Sequence, residues 1–146
     1  MLHRSNSYNL RVYGILCSEE KVLLSKEYHF GTPMLKFPGG GVEKGEGFLA
    51  ALHREFMEEL GASIAKAEHF YTTDFFVESA FQPGVQLISV YYRVWVHKPD
   101  EISTIDSNDK PLVSEGEQAF LWVSPHQVNA LELTFPVDRF VWNMLV

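Results

Sequence analysis

The sequence predicts an α+β architecture packed in layers, and three observations carry that prediction. Short runs rich in β-branched and aromatic residues occupy both halves of the chain. Between them one segment, 48–60, repeats its apolar residues at helical spacing. The resulting order is strands, helix, strands, helix, and not the strict alternation that builds a parallel sheet. With 146 residues, 46% of them hydrophobic and 14% aromatic, the chain can fill one core. Residues 1–146 are therefore expected to form a single domain.

Residues 8–17 and 21–25 are β-rich runs around a Ser18-Glu19-Glu20 break, which predicts a hairpin. A further strand is expected at 34–37. It should stop at Pro38-Gly39-Gly40-Gly41, where proline and three glycines oppose regular structure. Leu49, Leu52, Phe56 and Leu60 then form one face of a helix, and Gly61 supplies its stop. Residues 67–78 and 86–97 predict two longer antiparallel strands joined at Pro83-Gly84. The polar stretch 98–118 reads as a functional loop or an unstructured segment. A strand is expected at 119–123, a short helix from Pro125, and a final amphipathic helix over 137–145.

Composition narrows the function. The net charge of −7, with no basic run, argues against nucleic acid as a partner. No apolar run approaches the roughly 18–20 residues of a membrane span, and Met1 to Ser7 lacks the apolar stretch of a secretion signal. A cytoplasmic protein without a membrane partner is expected. The single cysteine, Cys17, lies in an apolar run and reads as a buried, inert thiol. His29, His53 and His69 lack zinc-ligand spacing.

The chemistry concentrates between Gly39 and Ala62. On a helical wheel, Glu55, Glu58 and Glu59 form a second stripe roughly a quarter to a third of a turn from the apolar one. Like charges at these spacings repel by a few tenths of a kcal/mol per pair. A divalent cation reverses that sign, because Mg²⁺ and Mn²⁺ prefer hard oxygen ligands. Taken alone the stripe reads equally well as an exposed acidic face. Immediately upstream, however, Gly39-Gly40-Gly41-Val42-Glu43-Lys44-Gly45-Glu46-Gly47 forms a glycine-rich turn whose bare peptide groups can approach a phosphate or a metal.

These residues resemble a known pattern. Gly40, five residues, Glu46, seven residues, then Arg54-Glu55-Phe56-Met57-Glu58-Glu59-Leu60-Gly61-Ala62 is similar to the Nudix box, with all seven fixed positions present. At average residue frequencies that coincidence is on the order of 10⁻⁸ per starting position. Phe56 is aromatic where an aliphatic is usual, and Ala62 is small where bulk is usual; both departures concern packing. Lys36-Phe37-Pro38-Gly39 and Leu121-Trp122-Val123-Ser124-Pro125 resemble the family more loosely.

The resemblance implies a Nudix-like α/β/α sandwich with a mixed, mostly antiparallel sheet between helices. It also implies a hydrolase that cleaves a pyrophosphate bond in a nucleoside diphosphate linked to another moiety, using Mg²⁺ or Mn²⁺. By resemblance Glu55, Glu58 and Glu59 face the metal, joined by the Gly39 carbonyl. Glu55 either ligates or takes the proton of the attacking water, and Arg54 pairs with Glu46. A late acid, Glu115 or Glu117, completes the set, with Asp74 and Glu78 as weaker alternatives. Gly40 and Gly41 offer backbone to the substrate. Among Tyr71, Phe75, Phe76 and Phe81, which otherwise fill a core or sheet face, Phe76 is the base-stacking candidate. The partner is then a small pyrophosphate compound, and a homodimer is possible by analogy. The rivals are a catalytically inactive Nudix-fold domain that senses a nucleotide or sugar, an isomerase on the same scaffold, and an acidic module that binds Ca²⁺ or a basic partner.

Overall fold

The computed structural model describes residues 7–106 and 111–146. The readings that fall on 1–6, and on 107–110 within the polar loop, lie outside the described residues. The elements are β1 (Tyr8–Ser18), β2 (Lys21–His29), β3 (Thr32–Lys36), β4 (Gly39–Gly41), α1 (Phe48–Leu60), β5 (Ile64–Thr72), β6 (Gln86–Val96), β7 (Gln118–Val123) and α2 (Pro136–Leu145). Single-turn 3₁₀ helices occur at Pro99–Glu101 and Ala130–Glu132.

The strands form one mixed sheet in the order β3-β2-β1-β6-β5, with β4 added on β1 and β7 on β2. Only β1 and β6 run parallel; the other pairs are antiparallel. Alternation along β1 sorts its side chains onto two faces. Val12 and Leu16 join Leu52 and Phe56 beneath α1, whereas Tyr13 and Ile15 join Val141 and Trp142 beneath α2. The sheet thus lies between two helices, as expected.

Several local expectations are corrected. The Pro38–Gly41 segment does not end regular structure. Gly39, Gly40 and Gly41 pair with Tyr13, Val12 and Arg11 as a short strand. At Gly39 (φ 142°) an added Cβ would lie 2.1 Å from the Val12 carbonyl oxygen, so the strand can lie this close to β1 only without a side chain. The inward stripe of α1 runs through Ala51, Leu52 and Phe56, while Leu49 is exposed. Ala51, with its single methyl, lets the helix sit close to the sheet. β5 starts earlier than expected and stops at Thr72. There the Thr73 side chain takes over, exchanging hydrogen bonds with Ser89 through its Oγ1 at 2.9 and 3.0 Å. No helix starts at Pro125; Ser124 closes a turn onto Gln127 N–H. Pro136 instead occupies the first turn of α2. Cys17 is exposed, not buried, because it follows the last inward position of β1. No helix among the described residues is long and apolar enough to cross a membrane.

Candidate active site

Helix α1 sets the site. It begins after Gly47 and ends at Gly61, whose left-handed backbone (φ 62°) lets the N–H groups of Gly61 and Ala62 close back onto the Met57 and Phe56 carbonyls. With Leu52 and Phe56 fixed in the core, the i+3 and i+4 geometry sends Glu55, Glu58 and Glu59 along one edge.

Arg54 organises the approach to that edge. Its Nε and Nη2 donate to the two oxygens of Glu46 at 2.7 and 2.9 Å, a bidentate pair, and Nη2 also donates to the Gly41 carbonyl at 3.0 Å. Its Nη1 reaches Glu55 at 3.1 Å and Glu58 at 3.3 Å. The Glu46 carboxyl is lowered to about 2, chiefly by the Arg54 hydrogen bonds and then by the Glu43 N–H. The expected Arg54–Glu46 pair is therefore present, and it ties the glycine-rich turn to the helix.

The three helix carboxylates differ in environment. Glu58 is 60% exposed at its side chain. Glu55 is 14% exposed and lies against β4. A Cβ on Gly40 would stand 2.6 Å from Glu55 Oε1, so Gly40 is the cradle that admits this carboxylate. Glu59 is the most desolvated. Its Oε2 is buried with no hydrogen-bond partner among the described residues, and its pKa is raised to about 7. Burial is the main cause; the Glu55 and Glu27 charges add to it, and Lys36 opposes it.

Sequence reasoning missed a group of polar residues beside the helix edge. Lys36 is buried and pairs with Glu27 at 3.0 Å. Gln118 lines the same cleft as Glu59 and donates to Ser25 Oγ at 3.2 Å. Arg11 donates to the Tyr13 hydroxyl at 2.6 Å and acts electrostatically on Glu55. The available signal was strand period two. Ser25 and Glu27 share a face of β2 and meet Lys36 of β3 and Gln118 of β7 across the ladder, a polar set among inward-facing apolar neighbours.

Other expected residues lie elsewhere. Glu115 accepts the Phe30 N–H at the tip of the β2–β3 hairpin, and Glu117 accepts the N–H groups of Ser114 at 2.6 Å and Val113 at 3.3 Å within its own loop, so both are engaged elsewhere. Asp74 accepts the Tyr71 hydroxyl, and Glu78 accepts the Gly84 N–H at 2.9 Å. Phe81 stacks on Phe30 at 4.5 Å, while Tyr71 and Phe75 pack on Phe140. Phe76 stands 70% exposed. Two clefts flank the turn and helix. One of about 500 Å³ is lined by Tyr8, Leu10, Val42 and Glu46; one of about 370 Å³ is lined by Glu59, Ile102, Thr104, Gln118 and Phe120. Only the smaller reaches a carboxylate of the helix edge, so it is the more relevant to chemistry there.

Among the described residues, no three His, Cys, Asp or Glu side chains converge closely enough to hold an ion as they stand; Arg54 spans Glu55 and Glu58 instead. The donor set nevertheless fits a hard dication. It consists of carboxylate oxygens, one of them buried and unpartnered, beside a strand stripped of side chains.

Comparison with curated proteins returned no significant match. Among solved structures, the fold is similar to the ORF135 protein of E. coli, with 23% identity over 94% of this chain and 87% of that one, at a TM-score of 0.66. It is similar to MutT from Aliivibrio salmonicida and Vibrio cholerae, with 23% identity over 94% and 96%, at a TM-score of 0.64. A NUDIX hydrolase from Nitrosomonas europaea matches at 22% identity over 94% and 86%, with a TM-score of 0.64. The family profile described as the NUDIX domain matches residues 7–142. With the box on α1, its glycine turn on β4 and the sandwich around them, this chain belongs to the Nudix hydrolase family.

Proposed function

We propose that the protein is a Mg²⁺- or Mn²⁺-dependent pyrophosphohydrolase. Its substrate is a nucleoside diphosphate linked to a second moiety, as in a nucleoside triphosphate or nucleotide sugar, and its products are a nucleoside monophosphate and phospho-X. One observation carries the reading: among the described residues Glu59 presents a buried, unpartnered oxygen on the same helix edge as Glu58 and as Glu55, which the Gly40 cradle admits. Leaving such an oxygen unsatisfied is costly, and a cation ligand would satisfy it.

In this reading Glu59, Glu58 and Glu55, with the Gly39 carbonyl, hold the dication. When bound, it supplies positive charge against the diphosphate oxygens and acidifies water. Glu55, steadied by Arg54, takes the proton of the attacking water. Arg54 and Glu46 act as positioning residues, since they fix the turn that carries Gly40 and Gly41 against the substrate. Glu115 and Glu117 join the ligand set only by exchanging the N–H groups they hold for an ion. Phe76, open at the β5–β6 connection, is available to stack on a base.

The test is incubation with a panel of nucleoside diphosphate derivatives and Mg²⁺ or Mn²⁺, with monophosphate release followed by chromatography. Release that chelator abolishes is the expected result. Ligand binding without turnover across the panel would favour the sensor alternative instead.

A further inference from the structure

Lys36 is 5% exposed, a rare place for an ammonium group. It lies opposite Ser25 in the β2–β3 ladder. Its Nζ is 3.0 Å from Glu27 Oε2 and 5.3 Å from the centre of the Tyr13 ring. Glu27 Oε2 also accepts from Ser25 Oγ at 2.9 Å, and its other oxygen lies 3.3 Å from His29 Nε2. One carboxylate would balance one buried ammonium. The set reaches the helix edge through Gln118, which donates to Ser25 Oγ at 3.2 Å and lines the same cleft as Glu59, so the Glu59 charge acts on Lys36 beside that of Glu27.

We infer that Lys36 is a built-in counter-ion: it holds the Glu27 carboxylate out of the metal-binding set and partly neutralises Glu59 before any dication arrives. Lys36 is thus a positioning residue that limits how tightly the substrate-free site takes up a dication. Uptake is then most favourable together with a diphosphate, whose negative charge offsets the ammonium. The inference rests on the reading that Glu55, Glu58 and Glu59 hold the metal.

The experiment is Mn²⁺ titration of the substrate-free protein, with free ion counted by electron paramagnetic resonance and folding checked by circular dichroism. Lys36→Met removes the ammonium and frees Glu27, so Mn²⁺ should bind about tenfold tighter. Glu27→Gln leaves Lys36 with Glu59 alone, so binding should weaken by about threefold or more. The double variant should fall between Lys36→Met and wild type. A merely structural role would weaken binding in every variant. A folded Lys36→Met with wild-type affinity overturns the inference; should that variant fail to fold, Glu27→Gln binding as tightly as wild type overturns it equally. If wild type and Lys36→Met alike bind no Mn²⁺, the metal reading falls and the inference falls with it.

Discussion

The two helices cover opposite faces of the same sheet, and each brings a carboxylate inward, but they treat it in opposite ways. On α2, Asp138 is 2% exposed and satisfied: it accepts the Tyr91 hydroxyl and, at 3.4 Å, the Phe37 N–H. On α1, Glu59 keeps one oxygen with no partner among the described residues. Burial raises both pKa values, to about 6 for Asp138 and about 7 for Glu59. The difference lies in closure. The α2 acid ties helix to sheet and is complete as it stands, whereas the α1 acid is left open on the side of a cleft. A carboxylate without a partner in a folded interior marks a place for a ligand; one with its partners in place marks a joint.

The largest test of this contrast is Glu59→Gln. Turnover should fall by about 10³-fold if Glu59 serves the chemistry, measured as kcat with an unchanged circular dichroism spectrum. In the metal-free protein the same change should raise stability. The folded pKa of Glu59 exceeds its ordinary value of 4.5, so its contribution is complete below pH 4.5 and is lost as pH rises through about 7. Urea unfolding at pH 5 and 8 should therefore show wild type weakened at the higher pH. Glu59→Gln should recover on the order of 2 kcal/mol there, allowing for screening on the open side. Equal pH slopes in the two proteins would remove Glu59 as the strained group.

Next in size is Gly40→Ala. Its methyl would meet Glu55 Oε1 at 2.6 Å, so the carboxylate must move. Turnover should drop about 10²-fold, as expected for a catalytic group displaced by about 1 Å. An unchanged kcat would show that the position of Glu55 does not matter.

Asp138→Asn should leave kcat within about threefold, because Asp138 is a joint. Its effect should appear in stability. The wild-type Asp138 contribution is complete below the ordinary pKa of 3.8 and is lost as pH rises through about 6, so the variant should gain most near neutral pH, by about 1–2 kcal/mol after the weaker contact to Phe37 is discounted. A large loss of turnover with normal stability would instead make the two helices alike.

Glu46→Gln is the mildest change. Arg54 would keep its bonds to Gly41, Glu55 and Glu58, and kcat should fall about tenfold as the turn loosens.

The contrast also shows what the sequence could and could not disclose. Helix α1 was legible because its information is local: apolar spacing and three glutamates share 13 residues, and a glycine follows directly. The Arg54–Glu46 pair was legible through the resemblance. The Lys36–Glu27–Gln118 set was not, because it is assembled across β3, β2 and β7 from positions that each look unremarkable along the chain. Asp138 was hidden for the same reason, since its partner Tyr91 lies 47 residues away. The glycine strand was misjudged because propensity opposes it, while the ladder with β1 imposes it.

The parallel pairing of β1 with β6 has a consequence for how the molecule is made. Tyr8 stands opposite Gln86, and Leu16 opposite Val94, so the strand that carries β4 gains its central neighbour only after most of the chain has been synthesised. Closing so wide a loop is slow compared with hairpin formation. Helix α1 is local and can form early, but the sheet beneath its acidic edge closes only when β6 joins β1.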